Sequence, residues 1–467
     1  MNDARVQPVD IAVVGAGAAG LMASIWAGRA ADAGARIVAL DGARTLGAKI
    51  LVAGGGRCNV THDHVDERAY AGSSPNAIRK VLRQFDVPRT IGFFRELGVE
   101  LKREETGKLF PTTDSARTVL DALLRATREA GVEVWHPWRV ERITRRKEGF
   151  EIARQGREAH DAEAHGAGFP RTETNRNNLH SEEHHKTGLR DTGPHGAGPD
   201  ETGLVLARRV VLATGGLSLP KTGSDGGGYR MARALGHTVT GTYPALVPLT
   251  LPREHPLCAL SGIAAPATVE LRSATGKRLV AFEGPVLCAH FGLSGPAILD
   301  ISRYWLARGG GSSDAAALAI NWLPSRTPTA LDADLAGLKN TTPLRFLAER
   351  LPERLARVLC EMAGVEVGLP GHQLTRERRR ALADAATQMP LTVTGSRGYL
   401  FAEVTAGGVP LSEVHLESME SRVCPRLHLC GEICDVDGRI GGYNFQWAWA
   451  SGYVAGSTAR RMLASNA

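Results

Sequence analysis

With 467 residues, 43% of them hydrophobic and 22% charged, the chain has the composition of a soluble enzyme and the length for two or three cores. It has no run of roughly 18 apolar residues, no basic-then-apolar leader and no paired C-x-x-C spacing among its seven cysteines, so the expectation is a cytoplasmic protein with reduced thiols and neither a membrane span, a disulfide framework nor a metal site. A net charge of +7 favours approach to a polyanion, whereas the two basic runs, Arg142 to Lys147 and Arg376 to Arg380, read as solvated faces.

Asp10 to Gly15 reads as a buried parallel strand, Gly17 to Ala33 as a helix of small residues and Ala35 to Leu40 as a second strand, which together make one βαβ unit. Asn76 to Leu97 and Ser115 to Ala130 pattern as helices, the latter capped by Asp114 or Ser115. Val132 to His136, Arg139 to Thr144 and Gly149 to Ala153 alternate as short strands. Between Gln155 and Gly203, His, Gly, Glu, Thr and Asn dominate without periodicity, which predicts a disordered insertion inside a hairpin that resumes at Leu204. Six of the fifteen histidines lie there (His160, His165, His180, His184, His185 and His195); with no strand, helix or cysteine to fix them, they are not read as metal ligands. Val210 to Thr214 is another apolar strand, running into Gly215 and Gly216. From Tyr243, prolines interrupt short β-like runs such as Ala267 to Leu271 and Leu279 to Phe282, and helical patterns follow at Leu331 to Lys339, Pro343 to Ala348, Glu353 to Ala363 and Thr375 to Ala386. This reads as an inserted substrate-side domain. Strand-like segments return at Tyr399 to Val404 and Leu427 to Cys430, and Gly442 to Leu463 makes a closing helix.

Gly15-x-Gly17-x-x-Gly20 follows an apolar strand and opens a helix, which is the context a dinucleotide site demands. Gly15 permits the tight turn, Gly17 lets backbone reach a pyrophosphate at the helix N-terminus, and Gly20 allows close helix–strand packing. Asp41, at the end of the second strand, is placed to accept ribose hydroxyls. Three more features favour FAD over NAD: the Thr214-Gly215-Gly216 strand end, the Gly431-Glu432 turn, and Gly441-Gly442 at a helix start. Acidic Glu432, Asp435 and Asp437 can bind ribityl hydroxyls, and the helix start after Gly442 can stabilise charge on a reduced flavin. The Gly54-Gly55-Gly56-Arg57-Cys58-Asn59 loop would let backbone pass a flat ring, with Arg57 polarising a carbonyl and Cys58 either donating a proton or filling the core. His290 is the histidine best placed for acid–base work, its alternative being a histidine satisfied by a backbone carbonyl.

Taken together, Gly15 to Gly20, Gly54 to Asn59, Leu109-Phe110-Pro111, Ala213 to Ser218, His290 to Pro296, Glu403 to Val409 and Gly441 to Trp449 resemble the BaiN/RdsA family of NAD(P)/FAD-dependent oxidoreductases over nearly the whole chain except Gln155 to Gly203. The resemblance implies an α/β fold: a Rossmann-type FAD-binding domain of the glutathione-reductase superfamily type, formed by residues 1–242 and 393–467, interrupted by a β-barrel-like and helical domain at 243–392. It implies that the Gly54-Gly55-Gly56 loop and Gly442-Tyr443-Asn444-Phe445 lie near the flavin. Ala18, Ala19, Lys49 and Val140 complete the expected cofactor contacts. Members of the family reduce a conjugated C=C bond, either of steroid-like enones or of a uridine of large-subunit ribosomal RNA, which becomes dihydrouridine. Pro248 to Leu251, Leu260 to Ala264 and Asn444 to Trp449 look closer to the RNA-modifying branch. The chain departs from many members at Gly227, where they carry an aspartate. No second Gly-x-Gly-x-x-Gly appears, so NAD(P)H is expected to bind transiently, or another donor serves. The expected reaction is thus reduction of an RNA uridine, with a small enone as the alternative substrate and an RNA-binding protein with structural FAD as the alternative class.

Overall fold

The computed structural model describes residues 8–29, 34–156, 203–310 and 316–464. The disordered reading of residues 155–203, with its histidines, falls almost wholly outside them. At the centre lies a parallel sheet in the order Leu427–Leu429, Leu204–Leu212, Val9–Val14, Ile37–Leu40, Glu133–Trp135. The apolar continuity of Val9–Val14 and Ile37–Leu40 has its cause here, because helices and loops cover both faces of the sheet. The strands Val140–Arg146 and Gly149–Arg154 form an antiparallel pair. Gly149–Arg154 in turn pairs antiparallel with Leu204–Leu212, so residues 157–202 join two adjacent strands.

The first helix, Ala18–Gly28, packs against both the sheet and the closing helix, Tyr443–Ala464. The two helices meet through their smallest residues. A Cβ on Gly452 would stand 2.5 Å from the Ala19 carbonyl oxygen, and one on Gly456 would stand 2.1 Å from that of Ala23. The span expected as one helix from Asn76 to Leu97 is two, Pro75–Leu82 and Val87–Glu96. The break is chemical: Asp86 caps the second helix through its carboxylate and the Arg89 N–H (3.0 Å), and Pro88 in the first turn cannot continue a helix from before it. Neither expected cap serves Ala116–Glu129, since the Ser115 side chain makes no capping bond and Asp114 is drawn to Lys102.

A second hydrophobic core gathers residues from Leu249 to Leu391. It is built on a seven-stranded antiparallel sheet running from Met389–Leu391 through Ala317–Asn321, Ala264–Arg272, Arg278–Ala289, Gly292–Ser294 and Leu249–Thr250 to Gly395–Ser396. The first and last strands of that path are joined by residues 392–394 alone, so the sheet is rolled until its edges nearly meet. Helices Pro328–Ala336, Pro343–Ala348, Glu353–Met362 and Arg376–Thr387 pack beside it. Tyr399 to Val404, expected as a strand, is mostly a turn, and only Val404–Ala406 pairs, antiparallel with Tyr243–Ala245.

Candidate functional site

The strand Val9–Val14 delivers the chain to Gly15, whose φ of +100° and whose absent Cβ, 2.5 Å from the Ala213 carbonyl oxygen if present, both require glycine. Gly20 is as constrained, with a Cβ position 1.8 Å from the Gly15 carbonyl oxygen. Gly17 differs: nothing lies within 4 Å of its Cβ position, so the space before the helix is open. Leu21 N–H donates to the Gly17 carbonyl, and the Gly17 position supplies no capping side chain. The N–H groups of Ala18, Ala19 and Gly20 therefore point without helical partners into that opening, an anion site by construction. Asp41 stands beside it, accepting from the Ala16 N–H (2.6 Å) and the Ala43 N–H (2.8 Å), with lone pairs left on each oxygen. Val140 belongs to the same end, since the Trp138 N–H donates to the Asp41 carbonyl (2.6 Å) and Arg139 packs on Gly42.

From there a polar network runs along the cleft. Lys49, on the helix Ala48–Val52, donates to Ser218 Oγ (2.7 Å) and pairs with Glu432 Oε2 (2.7 Å). Glu432 also accepts from Ser218 Oγ (2.8 Å) and the Thr405 N–H (2.9 Å), and Thr405 Oγ accepts from the N–H groups of Leu217 and Ser218. Lys49, Gly216, Glu432 and the Val404–Ala406 strand are thereby fixed around one space. Gly216 must be small there, because a Cβ would reach within 2.8 Å of Thr405 and Glu432 side chains. Gly431 is gripped by the closing helix at both of its polar groups: its N–H donates to Ser451 Oγ (2.9 Å) and its carbonyl accepts from Trp447 Nε1 (3.0 Å).

The fit to a dinucleotide can be tested on what the chain leaves unsatisfied. Among the described residues, the buried Thr214 Oγ and Asn59 Oδ1 have no hydrogen-bond partner, and each lies in a stretch expected to touch the cofactor. Gly54, Gly55 and Gly56 all take positive φ and stand exposed, with nothing within 4 Å of the Gly55 Cβ position. An open glycine cradle with the orphaned Asn59 Oδ1 beside it, together with the orphaned Thr214 Oγ at the strand end, fits FAD.

The family model described as the HI0933-like protein Rossmann domain matches residues 9–166 and 171–458. The chain belongs to the HI0933-like Rossmann family. It is 32% identical over 454 residues to a 3-dehydro-bile acid delta(4,6)-reductase of Clostridium scindens, covering 96% of this chain and 98% of that one. To a ribosomal RNA dihydrouridine synthase of Escherichia coli it is 31% identical, and to that of Haemophilus influenzae 28%, each over 95% of this chain and 96% of the relative. The HI0933-like chain is thus a flavin-dependent oxidoreductase, as its resemblance implied.

Several expected site residues have partners within the chain. Asp437 is 2% exposed and binds Arg303 with both oxygens (2.6 and 3.0 Å), so it braces the join between the two cores. Burial raises its carboxyl to about 6, with the Arg303 charge opposing. Arg57 pairs with Glu104 (2.6 Å), lies near Asp114 (3.6 Å) and stacks on Phe110. Cys58 is fully buried in the main core, and desolvation pushes its thiol to about 12. Asn444 spends its amide on the N–H and carbonyl of Gly438 (2.8 and 3.0 Å). Gly442 lies against Thr61, Tyr443 stacks on His62 (5.0 Å), and Phe445 stacks on Trp449 (5.5 Å). His290 stands exposed at the turn before Gly292–Ser294, with its ring edge against Phe291.

One acid was missed. Glu403 is open to solvent on one side, yet protein crowds its carboxyl enough that burial raises it from its ordinary value, against the pull of Lys108 and Lys49. Its signal in the sequence was faint: a lone glutamate two residues before Thr405. The basic runs proved structural in part, since Arg145 donates to the Pro425 carbonyl and stacks on Phe150, Arg146 pairs with Glu151, and Arg379 pairs with Asp332 (2.8 Å).

Proposed function

We propose that this chain reduces the C5–C6 double bond of a uridine in large-subunit ribosomal RNA, forming dihydrouridine. The observation that carries the reading is the exposure of large apolar side chains beside the Lys49–Glu432 network on a basic chain: Val52, on the helix that carries Lys49, is 54% exposed, and Leu400 and Phe401, on the turn whose Tyr399 carbonyl accepts from the Leu219 N–H, are 57% and 46% exposed. A structured RNA can offer one unstacked nucleotide to such a surface, whereas a small apolar enone is held best by an enclosed pocket. FAD, when bound, supplies hydride chemistry. The chain's own part is to hold the diphosphate at Ala18 to Gly20, a ribose at Asp41 and the remainder along Thr214 to Gly216, Glu432 and Gly441 to Phe445. A proton must also reach the carbon α to the carbonyl. Glu403 combines an exposed position two residues before Thr405 with a carboxyl that burial raises from its ordinary value, whereas Cys58 is buried, Arg57 is engaged by Glu104, and His290 stands exposed at the turn before Gly292–Ser294. NAD(P)H is proposed as a transient donor.

The likeness to a bile-acid reductase supports a second reading, reduction of a small enone. Mass mapping of ribosomal RNA decides between them. A strain lacking the gene is expected to lose one dihydrouridine from its large-subunit RNA and regain it with the gene restored; if every dihydrouridine persists, the RNA reading fails.

A further inference from the structure

The segment from Arg397 to Glu403 is a hydrogen-bonded turn fastened on three sides. The Arg397 N–H donates to the Pro248 carbonyl (3.0 Å), the Leu219 N–H to the Tyr399 carbonyl (2.9 Å), and the Glu403 N–H to the Leu246 carbonyl (3.2 Å). Ser218, next to Leu219, belongs to the Lys49–Glu432 network, so the turn stands beside that network. On it the Arg397 guanidinium lies over the Phe401 ring at 3.6 Å and over the Phe291 ring at 4.4 Å. Among the described residues no carboxylate pairs with Arg397. The same holds for two exposed cations attached to this surface: Lys221, two residues from Leu219, and Arg253, two residues from Leu251, whose N–H donates to the Phe291 carbonyl (3.1 Å).

Most other arginines of this chain that touch an aromatic face also hold a carboxylate or a carbonyl, as Arg57, Arg145 and Arg303 do. An unneutralised guanidinium between two rings, on a turn held rigid and flanked by two more free cations, has the elements of a single-stranded nucleic-acid site: flat faces for bases and charge for phosphates. We propose that Phe291, Arg397 and Phe401 form a stacking platform for a nucleotide flanking the target base of an RNA substrate, with Lys221 and Arg253 meeting its phosphates. The platform rests on the RNA reading above, and it adds what the basic runs do not: a place where the strand is gripped beside the cleft.

The test uses the full-length flavin-loaded protein, with protein-free large-subunit ribosomal RNA and a short single-stranded oligouridine as probes. Arg397→Ala with Phe401→Ala is expected to lower affinity for both probes about tenfold or more. Lys221→Ala is expected to flatten the slope of log affinity against log salt by about one. Flavin content and the thermal midpoint should match wild type, because neither side chain touches the glycine cradle; a variant that loses both has misfolded, and Phe401→Leu, which keeps the apolar contact and removes the ring, then supplies the comparison. Unchanged RNA affinity in Arg397→Ala/Phe401→Ala or in Phe401→Leu overturns the platform, as does wild-type protein that binds neither probe. Wild-type protein that binds through the platform and makes no dihydrouridine leaves the platform standing and removes the RNA reductase reading.

Discussion

Asp437 separates two accounts of the same acidic residue. The sequence places it as a hydroxyl acceptor for the cofactor, whereas in the structure both its oxygens are taken by Arg303, whose side chain is 15% exposed. Removing the carboxylate in Asp437→Ala strands a buried guanidinium, which costs about 3–5 kcal/mol. Asp437→Asn keeps one acceptor and removes the buried negative charge, so it should cost less than Asp437→Ala. Arg303→Met/Asp437→Ala removes both charges and should recover most of the loss, since a buried pair replaced by apolar groups is often neutral. There is also a pH signature. A carboxyl raised to about 6 from an ordinary 3.8 is protonated more readily folded than unfolded, so its contribution is whole below 3.8 and is lost as pH climbs through about 6. Asp437→Asn, which cannot ionise, should remove that loss and flatten the stability difference between pH 4 and 7. Urea unfolding of the four proteins, with the slope checked for constancy, reads these quantities, and flavin fluorescence quenching reads cofactor affinity in parallel. Unchanged unfolding midpoints with flavin affinity weakened tenfold would refute the ion-pair account and return Asp437 to the cofactor.

The glycines supply two further predictions. Gly17→Ala meets nothing within 4 Å, so flavin-free stability should equal wild type while flavin affinity falls, whereas Gly15→Ala, at φ +100° and 2.5 Å from the Ala213 carbonyl, should lose at least about 1–2 kcal/mol of flavin-free stability; equal unfolding curves for the two would contradict this. At the helix crossing, Gly456→Ala puts a methyl 2.1 Å from the Ala23 carbonyl and should cost about 1–3 kcal/mol, seen as a lower thermal midpoint.

How much of this was legible depended on the distance over which each feature is determined. The Gly15-x-Gly17-x-x-Gly20 fingerprint and Asp41 are local: a strand, a turn and a helix start force those residue types within one βαβ unit, so pattern alone located the open helix end. The helix break at Asp86 is equally local, with a capping aspartate ahead of Pro88, but the apolar period runs through it and masks it. The bindings of the acids were not local. Asp437 meets Arg303 from 134 positions away, and Glu432 meets Lys49 from 383 away. In one dimension Glu432 and Asp437 are alike, two acids in one turn. Folding assigns them opposite fates, because the closing helix grips Gly431 and turns Glu432 into the cleft, while Val436–Gly438 pairs with Tyr70–Gly72 and carries Asp437 to the join with the second core. A carboxylate's role is thus set by which cation the tertiary fold brings to it, and the sequence around it carries that information only through the elements that do the bringing.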